Sequence, residues 1–345
     1  MSLIEEINEQ PQVLNRLLST QFDAIAEIAD QIKQWDPNFV FVAARGTSDN
    51  AGRYANYLLG AHNQLPLALA TPSLFTYYHC PPKLKKALVV GISQSGQSPD
   101  IVSVLEEGRR QGCKTMAITN AVQSPLADQA DFVIDIMAGP EKAVAATKSY
   151  TAELMVIAML SVCLAGDEQR KAELARVPEW VAKTLELDSY IKNFAQRYRY
   201  MEQCVVLGRG YNYSTAFEWS LKMKELTYVV AEPYSSADFR HGPIAMVEQG
   251  FPVLAVAPNG EVFDTLKELL VHLRKDMQAE LMVISDRKDA LELAHVPVEL
   301  PAGIPEWLTP LVSIVPAQLF AYHLTQVKGF DTETPRSIRK VTETH

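Results

Sequence analysis

The sequence predicts an α/β protein built from two tandem copies of one unit, each a parallel sheet flanked by helices. Three observations carry that expectation. At 345 residues the chain exceeds one ordinary domain and suits two of roughly 150 residues each. Its apolar runs are short and alternate with helical stretches, the pattern of strands buried on both faces of a parallel sheet. The halves also repeat each other in register. Phe41-Val42-Ala43-Ala44-Arg45-Gly46 reappears as Val205-Val206-Leu207-Gly208-Arg209-Gly210, and Val89-Val90-Gly91-Ile92 with Gly96 as Val253-Leu254-Ala255-Val256 with Gly260. Gly46 to Gly210 and Gly96 to Gly260 are both separations of 164 residues. Ala117-Ile118-Thr119-Asn120 then matches Val283-Ile284-Ser285-Asp286, and 132–136 matches 296–300.

Taken in order, residues 1–35 read as an amphipathic helical segment, with Leu14, Leu17, Leu18, Ile25 and Ile28 near helical spacing. The first unit, 36–166, reads as strand 38–44, helix 49–60, strand 87–92, helix 99–111, strands 115–119 and 132–136, and helix 147–165. Its most apolar stretch, 154–165, is too short to span a bilayer and is expected to be a buried helix. Residues 167–200 are charged, carry Pro178 and read as linking helices. The second unit spans 201–330, and the polar tail 331–345 shows no periodicity.

Composition narrows the function. A formal charge of -9 argues against nonspecific nucleic-acid binding, which needs a basic footprint. Cys80, Cys113, Cys163 and Cys204 lie far apart without a Cys-x-x-Cys pair, which suits reduced thiols of a cytoplasmic protein. No signal peptide, membrane span, metal-ligand set or redox-cofactor fingerprint is legible. A soluble, cytoplasmic protein without metal or redox cofactor is the expectation.

Ligands of open parallel sheets bind beyond the carboxyl ends of the strands, and two polar segments fall there. One is Gly46-Thr47-Ser48-Asp49-Asn50 and the other Ser93-Gln94-Ser95-Gly96-Gln97-Ser98-Pro99-Asp100. The second has the parts of an anion site. Its hydroxyls and amide can donate, Gly96 lets the backbone approach, and Ser98-Pro99 starts a helix with free N–H groups. A serine-rich turn with an ordinary cap is the plain alternative. Asp100 is expected to face solvent and complement the helix dipole. Ala257-Pro258-Asn259-Gly260 lacks the hydroxyls, so one phosphate site per chain is expected. In the second half Glu218, Lys222 and Glu225 share one helical face, either as a solvated salt-bridge stripe or as acid–base groups. His241 sits in a turn, structural or functional, and Lys340 is either solvated or folded over a pocket.

Together these segments resemble the sugar-isomerase (SIS) family. Within it they are most similar to the isomerase half of glutamine–fructose-6-phosphate aminotransferases and to stand-alone glucosamine-6-phosphate deaminases. The resemblance runs from Arg45 to Lys340 through Gly46-Thr47-Ser48-Asp49-Asn50-Ala51-Gly52, Ser93-Gln94-Ser95-Gly96, Ala138-Gly139-Pro140-Glu141, Ala146-Thr147-Lys148, Leu221-Lys222-Met223-Lys224-Glu225, His241-Gly242-Pro243 and Pro335-Arg336. It implies a phosphosugar held by Thr47, Ser48, Ser93, Gln94, Ser95 and Ser98, with Ala146 where the family's synthase branch has serine. That branch also has Glu-Thr in place of Gln97-Ser98. The resemblance further implies that Glu225 moves a proton between sugar C1 and C2 with Lys222 close by. His241 is supplied by the neighbouring subunit of a homodimer for ring opening, and Lys340, on a tail over the active site, meets the open-chain carbonyl. A cationic surrounding from Arg339 and Lys222 is expected to activate that lysine.

The synthase's amino-terminal cysteine has no counterpart before Cys80. With ammonia drawn only from solution, the catabolic direction is expected, glucosamine 6-phosphate giving fructose 6-phosphate and ammonia. Alternatives are a galactosamine-6-phosphate deaminase, a deglycase of phosphorylated fructosyl-amines, and a sugar-phosphate sensor without turnover.

Overall fold

Among the described residues, ten strands form in two sheets. The first half gives β1 Phe39–Ala43, β2 Leu67–Leu69, β3 Ala87–Ile92, β4 Lys114–Thr119 and β5 Phe132–Asp135. The second gives β6 Gln203–Gly208, β7 Val230–Ser235, β8 Pro252–Val256, β9 Glu280–Ser285 and β10 Val296–Glu299. This computed structural model describes residues 2–340. All pairings are parallel, in the orders β2-β1-β3-β4-β5 and β10-β9-β8-β6-β7. Read from opposite edges these are one topology used twice, so the duplication seen in the sequence is a duplication of fold. Even the left-handed glycine opening the segment after the first strand recurs, with φ 53° at Gly46 and 59° at Gly210.

The chain divides into two compact units. One comprises 9–142, 146–178 and 338–340 and carries the first sheet; the other comprises 2–8, 143–145 and 179–337 and carries the second. Each central strand is sealed on both faces: every residue of β3 and of β8 is buried. In the first unit Val89 packs with Val104, Leu105 and Leu126. In the second, Val253 and Ala255 pack with Leu266, Leu269 and Leu270. Full burial of such side chains contributes about 1.5–3 kcal/mol each.

The structure corrects several expectations. The edge strands β2 and β7 were not foreseen. The first is three residues long and the second contains Pro233, and both are held by backbone pairing to β1 and β6 rather than by an apolar run of their own. Helix Gly46–Asn63 starts three residues earlier than expected, so Thr47 and Ser48 lie in its first turn rather than in a loop. The amino-terminal segment is three helices, Leu3–Asn8, Gln10–Thr20 and Phe22–Trp35. Helix Thr309–Val327 was not foreseen because Pro316 interrupts its pattern. Helix Lys148–Ala165 is long and apolar enough to cross a membrane by length and composition, and 83% of it is buried inside the structure. It is a core helix by burial, not by being too short.

Candidate functional site

In the first unit the chain leaves β1 toward β2 on one side and β3 toward β4 on the other. The crevice beyond the carboxyl ends of β1 and β3 is therefore the switch point at which such sheets bind ligands. Both polar segments emerge there. β1 and β3 pair with Ala43 opposite Gly91, so Arg45 and Ser93 each stand two residues past a matched pair.

The loop 93–98 is shaped by its own hydroxyls. Ser93 Oγ, buried, accepts from the Gly96 N–H at 3.1 Å, and Ser95 Oγ lies 3.4 Å from the Gln97 N–H. Ser98 occupies the N-cap position of helix Pro99–Arg110, yet its side chain makes no capping bond. Gln94 is half-buried and its carbonyl accepts from the Asn120 N–H. Gly96 has φ 63°, and a Cβ there would sit 2.1 Å from Ser124 Oγ. Gly96→Ala is thus expected to cost on the order of 1–3 kcal/mol of backbone strain and a displacement of Ser124. Gly112→Ala, with φ 75° and open space around it, supplies the comparison in thermal unfolding. Equal losses in the two variants would show that the loop makes way for the methyl.

Asp100 does not face solvent. It is fully buried, its Oδ1 accepting from the Ile101 N–H at 2.9 Å and its Oδ2 from Arg45 Nε at 2.7 Å. A buried carboxylate needs a cation and hydrogen bonds, and Arg45 meets that need where dipole complementation from solvent would not. Ser48 is also drawn elsewhere: its hydroxyl donates to Glu153 Oε1 at 2.8 Å in the core. Thr47 is half-buried beside it. Burial raises Asp49 above its ordinary value despite the partner Arg53 at 3.1 Å.

Ala146 is half-buried two residues before helix Lys148–Ala165. Near it lies a residue to which the sequence assigned no role, Glu141. Its carboxylate accepts from the N–H groups of Thr147 and Ser149, from Ser149 Oγ, and from Lys340 Nζ at 2.7 Å. Burial alone would raise Glu141; the Lys340 ammonium and the two N–H donors outweigh it and hold the carboxyl below its usual range. Lys340 Nζ thus has the Glu141 carboxylate as its partner. The tail beyond 340 lies outside the described residues.

In the second unit the charged stripe is not solvated. Glu218 and Lys222 are buried, with Lys222 Nζ 3.3 Å from Glu218 Oε1 and 2.5 Å from Glu225 Oε2. Burial opposes the charge on Lys222, but the two carboxylates prevail and hold its proton well above the ordinary lysine range. Glu225 alone of the three is partly exposed, at 24%. It stands on a π-helical turn, Met223–Thr227, that follows helix Tyr213–Lys222. Such turns cluster at functional sites. Tyr228, left-handed at φ 58°, ends it, and its ring carries the Arg336 guanidinium 3.9 Å from the centroid. His241 is exposed between helix Ser236–Phe239 and the turn Pro243–Met246. Its ring makes no hydrogen bond or ion pair among the described residues.

The second switch point, beyond β6 and β8, differs from the first. The Glu306 carboxylate lies against Gly260, accepts from the Glu261 N–H at 2.9 Å, and comes within 3.8 Å of where a Cβ of Gly210 would stand. The sequences agree here too: Ala302-Gly303-Ile304-Pro305-Glu306 answers Ala138-Gly139-Pro140-Glu141 with one residue inserted. One glutamate of the pair is turned onto its loop; the other, Glu141, is turned to Thr147, Ser149 and Lys340.

The chain is thus a duplicated doubly wound α/β protein with a hydroxyl-lined helix start in one unit and a buried carboxylate–ammonium cluster in the other. The comparisons name the family: the SIS domain matches residues 35–163 and 199–328, and the chain belongs to that family. It is 33% identical to glutamine–fructose-6-phosphate aminotransferase [isomerizing] of Thermococcus kodakarensis over 98% of its own length and 57% of that protein's. The counterpart in Clostridium tetani is 30% identical over 98% and 58%. The chain thus spans little more than half the length of these curated relatives. Among solved structures, the C-terminal domain of glucosamine-fructose-6-phosphate aminotransferase from Francisella tularensis superposes with a TM-score of 0.87 at 29% identity, covering 96% of this chain and 98% of that one. Glucosamine-6-phosphate deaminase from Thermotoga maritima shares the fold, with a TM-score of 0.82 at 19% identity over the full length of both chains.

Proposed function

We propose that this chain is an amino-sugar-phosphate isomerase and deaminase that converts glucosamine 6-phosphate to fructose 6-phosphate and ammonia. The observation that carries the reading is the Glu218–Lys222–Glu225 cluster. Aldose–ketose interconversion needs one base able to reach two adjacent carbons, and a carboxylate held beside a fixed ammonium suits it. Glu225 has Lys222 at 2.5 Å and is the member open to solvent. The names of the relatives supply the sugar pair, glucosamine and fructose 6-phosphate.

In this reading the phosphate rests on Ser93, Gln94, Ser95 and Ser98 at the helix start, with Thr47 and Ser48 in the first turn beside it and Ala146 near the sugar. Ser48 must turn from Glu153 to take part. After ring opening, Glu225 takes the C2 proton and returns it to C1, which leaves an imine at C2. Water adds to that imine, and the C–N bond breaks to give the ketone and free ammonia. Lys340, paired with Glu141, offers an ammonium donor to the open-chain carbonyl; a Schiff base requires it to leave that pair. His241 assists ring opening from the neighbouring subunit of a homodimer.

Incubation with glucosamine 6-phosphate, galactosamine 6-phosphate and a phosphorylated fructosyl-amine, with ammonia or amine release measured, tests the proposal. The highest kcat/KM is expected on glucosamine 6-phosphate. Greater turnover of either other compound would reassign the substrate. Tight binding without release of ammonia or amine would make the chain a sensor.

A further inference from the structure

A phosphate held by neutral hydroxyls and helix N–H groups binds more tightly where a cation joins them. We propose that Arg45 supplies that cation: its guanidinium, braced through Nε on Asp100, is a phosphate-binding group of the 93–98 loop. The inference rests on the reading of that loop as the phosphate site and adds a residue to it.

Three observations support it. The first is placement. Arg45 leaves β1 level with Ser93 leaving β3, and it is tied to Asp100, the second residue of the helix whose N–H groups end at the loop. The second is the state of the side chain. Asp100 is buried and fixed by two hydrogen bonds, whereas Arg45 is 49% exposed. Only its Nε is used; the two terminal nitrogens make no hydrogen bond among the described residues. An arginine held by one edge with its remaining donors free is arranged for bidentate contact with phosphate oxygens. The same pairing offsets the Asp100 carboxylate, which would repel a nearby phosphate if it stood alone.

The third observation comes from the other copy of the fold. Arg209, the repeat of Arg45, likewise reaches the start of the helix after its loop, donating to Thr265 Oγ1 at 2.9 Å. There a carboxylate, Glu306, occupies the space between the two loops, bonded to the N–H of Glu261. Glu261 is the repeat of Gln97 at the 164-residue spacing. The second copy thus holds a negative group of its own at this point of the fold. In the first copy the corresponding Glu141 is turned away, and the atoms nearest Gly96 are the Ser124 and Thr119 side chains rather than a carboxylate.

Binding of inorganic phosphate, glucosamine 6-phosphate and unphosphorylated glucosamine is to be measured by calorimetry in wild type and Arg45→Met, with no turnover required. Loss of a charge-assisted donor pair predicts roughly ten- to hundredfold weaker binding of both phosphate compounds, no change for glucosamine, and a shallower dependence on salt. Asp100→Asn, which keeps the cation and loosens its brace, is expected to lose several-fold at most. Should Arg45→Met fail to fold because Asp100 is left buried without its cation, the double variant Arg45→Met/Asp100→Leu removes both charges and carries the same comparison. A folded Arg45 variant with wild-type affinity for phosphate would reduce Arg45 to a brace for Asp100, and a wild type that takes neither phosphate compound overturns the inference outright. A wild type that binds phosphate through Arg45 but releases no ammonia leaves this inference standing and removes the deaminase.

Discussion

Glu225→Gln is expected to lower kcat on glucosamine 6-phosphate by ~10²–10⁴-fold, the usual cost of removing a general base, while KM changes little. The amide keeps the size of the carboxylate and still offers an oxygen to Lys222 Nζ, now 2.5 Å from Glu225 Oε2, so the turn that carries it has no reason to move. It cannot accept a proton from carbon. Ser93, Ser95 and Ser98, proposed to hold the phosphate, belong to the other compact unit and are unchanged by the substitution. A loss confined to kcat is the signature of an interaction used only in the transition state. Stopped-flow or coupled ammonia assays over a range of substrate concentrations separate the two constants. Near wild-type kcat in the variant would sink the proton-transfer role.

What could be read in advance follows from where the information sits in the chain. The strands β1, β3, β4 and β5 were legible because each is built on a short apolar run next to polar loops, and the repeat was legible because glycines that need a positive φ cannot drift. Gly46 and Gly210 show this directly. The 93–98 segment was legible as a strand-to-helix turn for the same reason, since Gly96 has a positive φ and Pro99 opens the helix. The electrostatic partners were not. Nothing local distinguishes Asp100 on a surface from Asp100 in the core beneath Arg45, a pairing 55 residues apart in sequence. Glu141 meets Lys340 across 199 residues, and no spacing announces that. The stripe of Glu218, Lys222 and Glu225 could be placed on one face, but whether that face was wet or dry depended on tertiary packing. Arg45 carried one usable signal, its recurrence as Arg209 in the second copy.

Burial of that stripe leads to a stability prediction as large as the catalytic one. Lys222→Met is expected to destabilise the protein by about 3–5 kcal/mol at neutral pH, the range for removing one partner of a buried ion pair. Methionine fills the volume, so the loss is electrostatic rather than a cavity. Glu218, fully buried, would lose the Lys222 ammonium that lies 3.3 Å from its Oε1. The sign with pH follows from proton binding. A carboxyl forced to protonate in the folded variant binds its proton more tightly than in the unfolded chain, where the ordinary value is about 4.3. The folded state then gains stability as pH falls from neutrality toward that value, so Lys222→Met recovers part of its loss between roughly pH 8 and 5. In wild type the proton held above the usual range is that of Lys222, whose contribution is complete below about pH 10.4 and lost only at higher pH. Wild type therefore shows no such recovery from this cluster. The double variant Lys222→Met/Glu218→Gln, with no buried charge left uncompensated, should be more stable at pH 8 than Lys222→Met alone. Chemical denaturation of the three proteins at pH 8 and pH 5 decides the matter. A Lys222→Met loss that is the same at both pH values, and that Glu218→Gln does not relieve, would mean the lysine stabilises through packing of its stem and not through its charge.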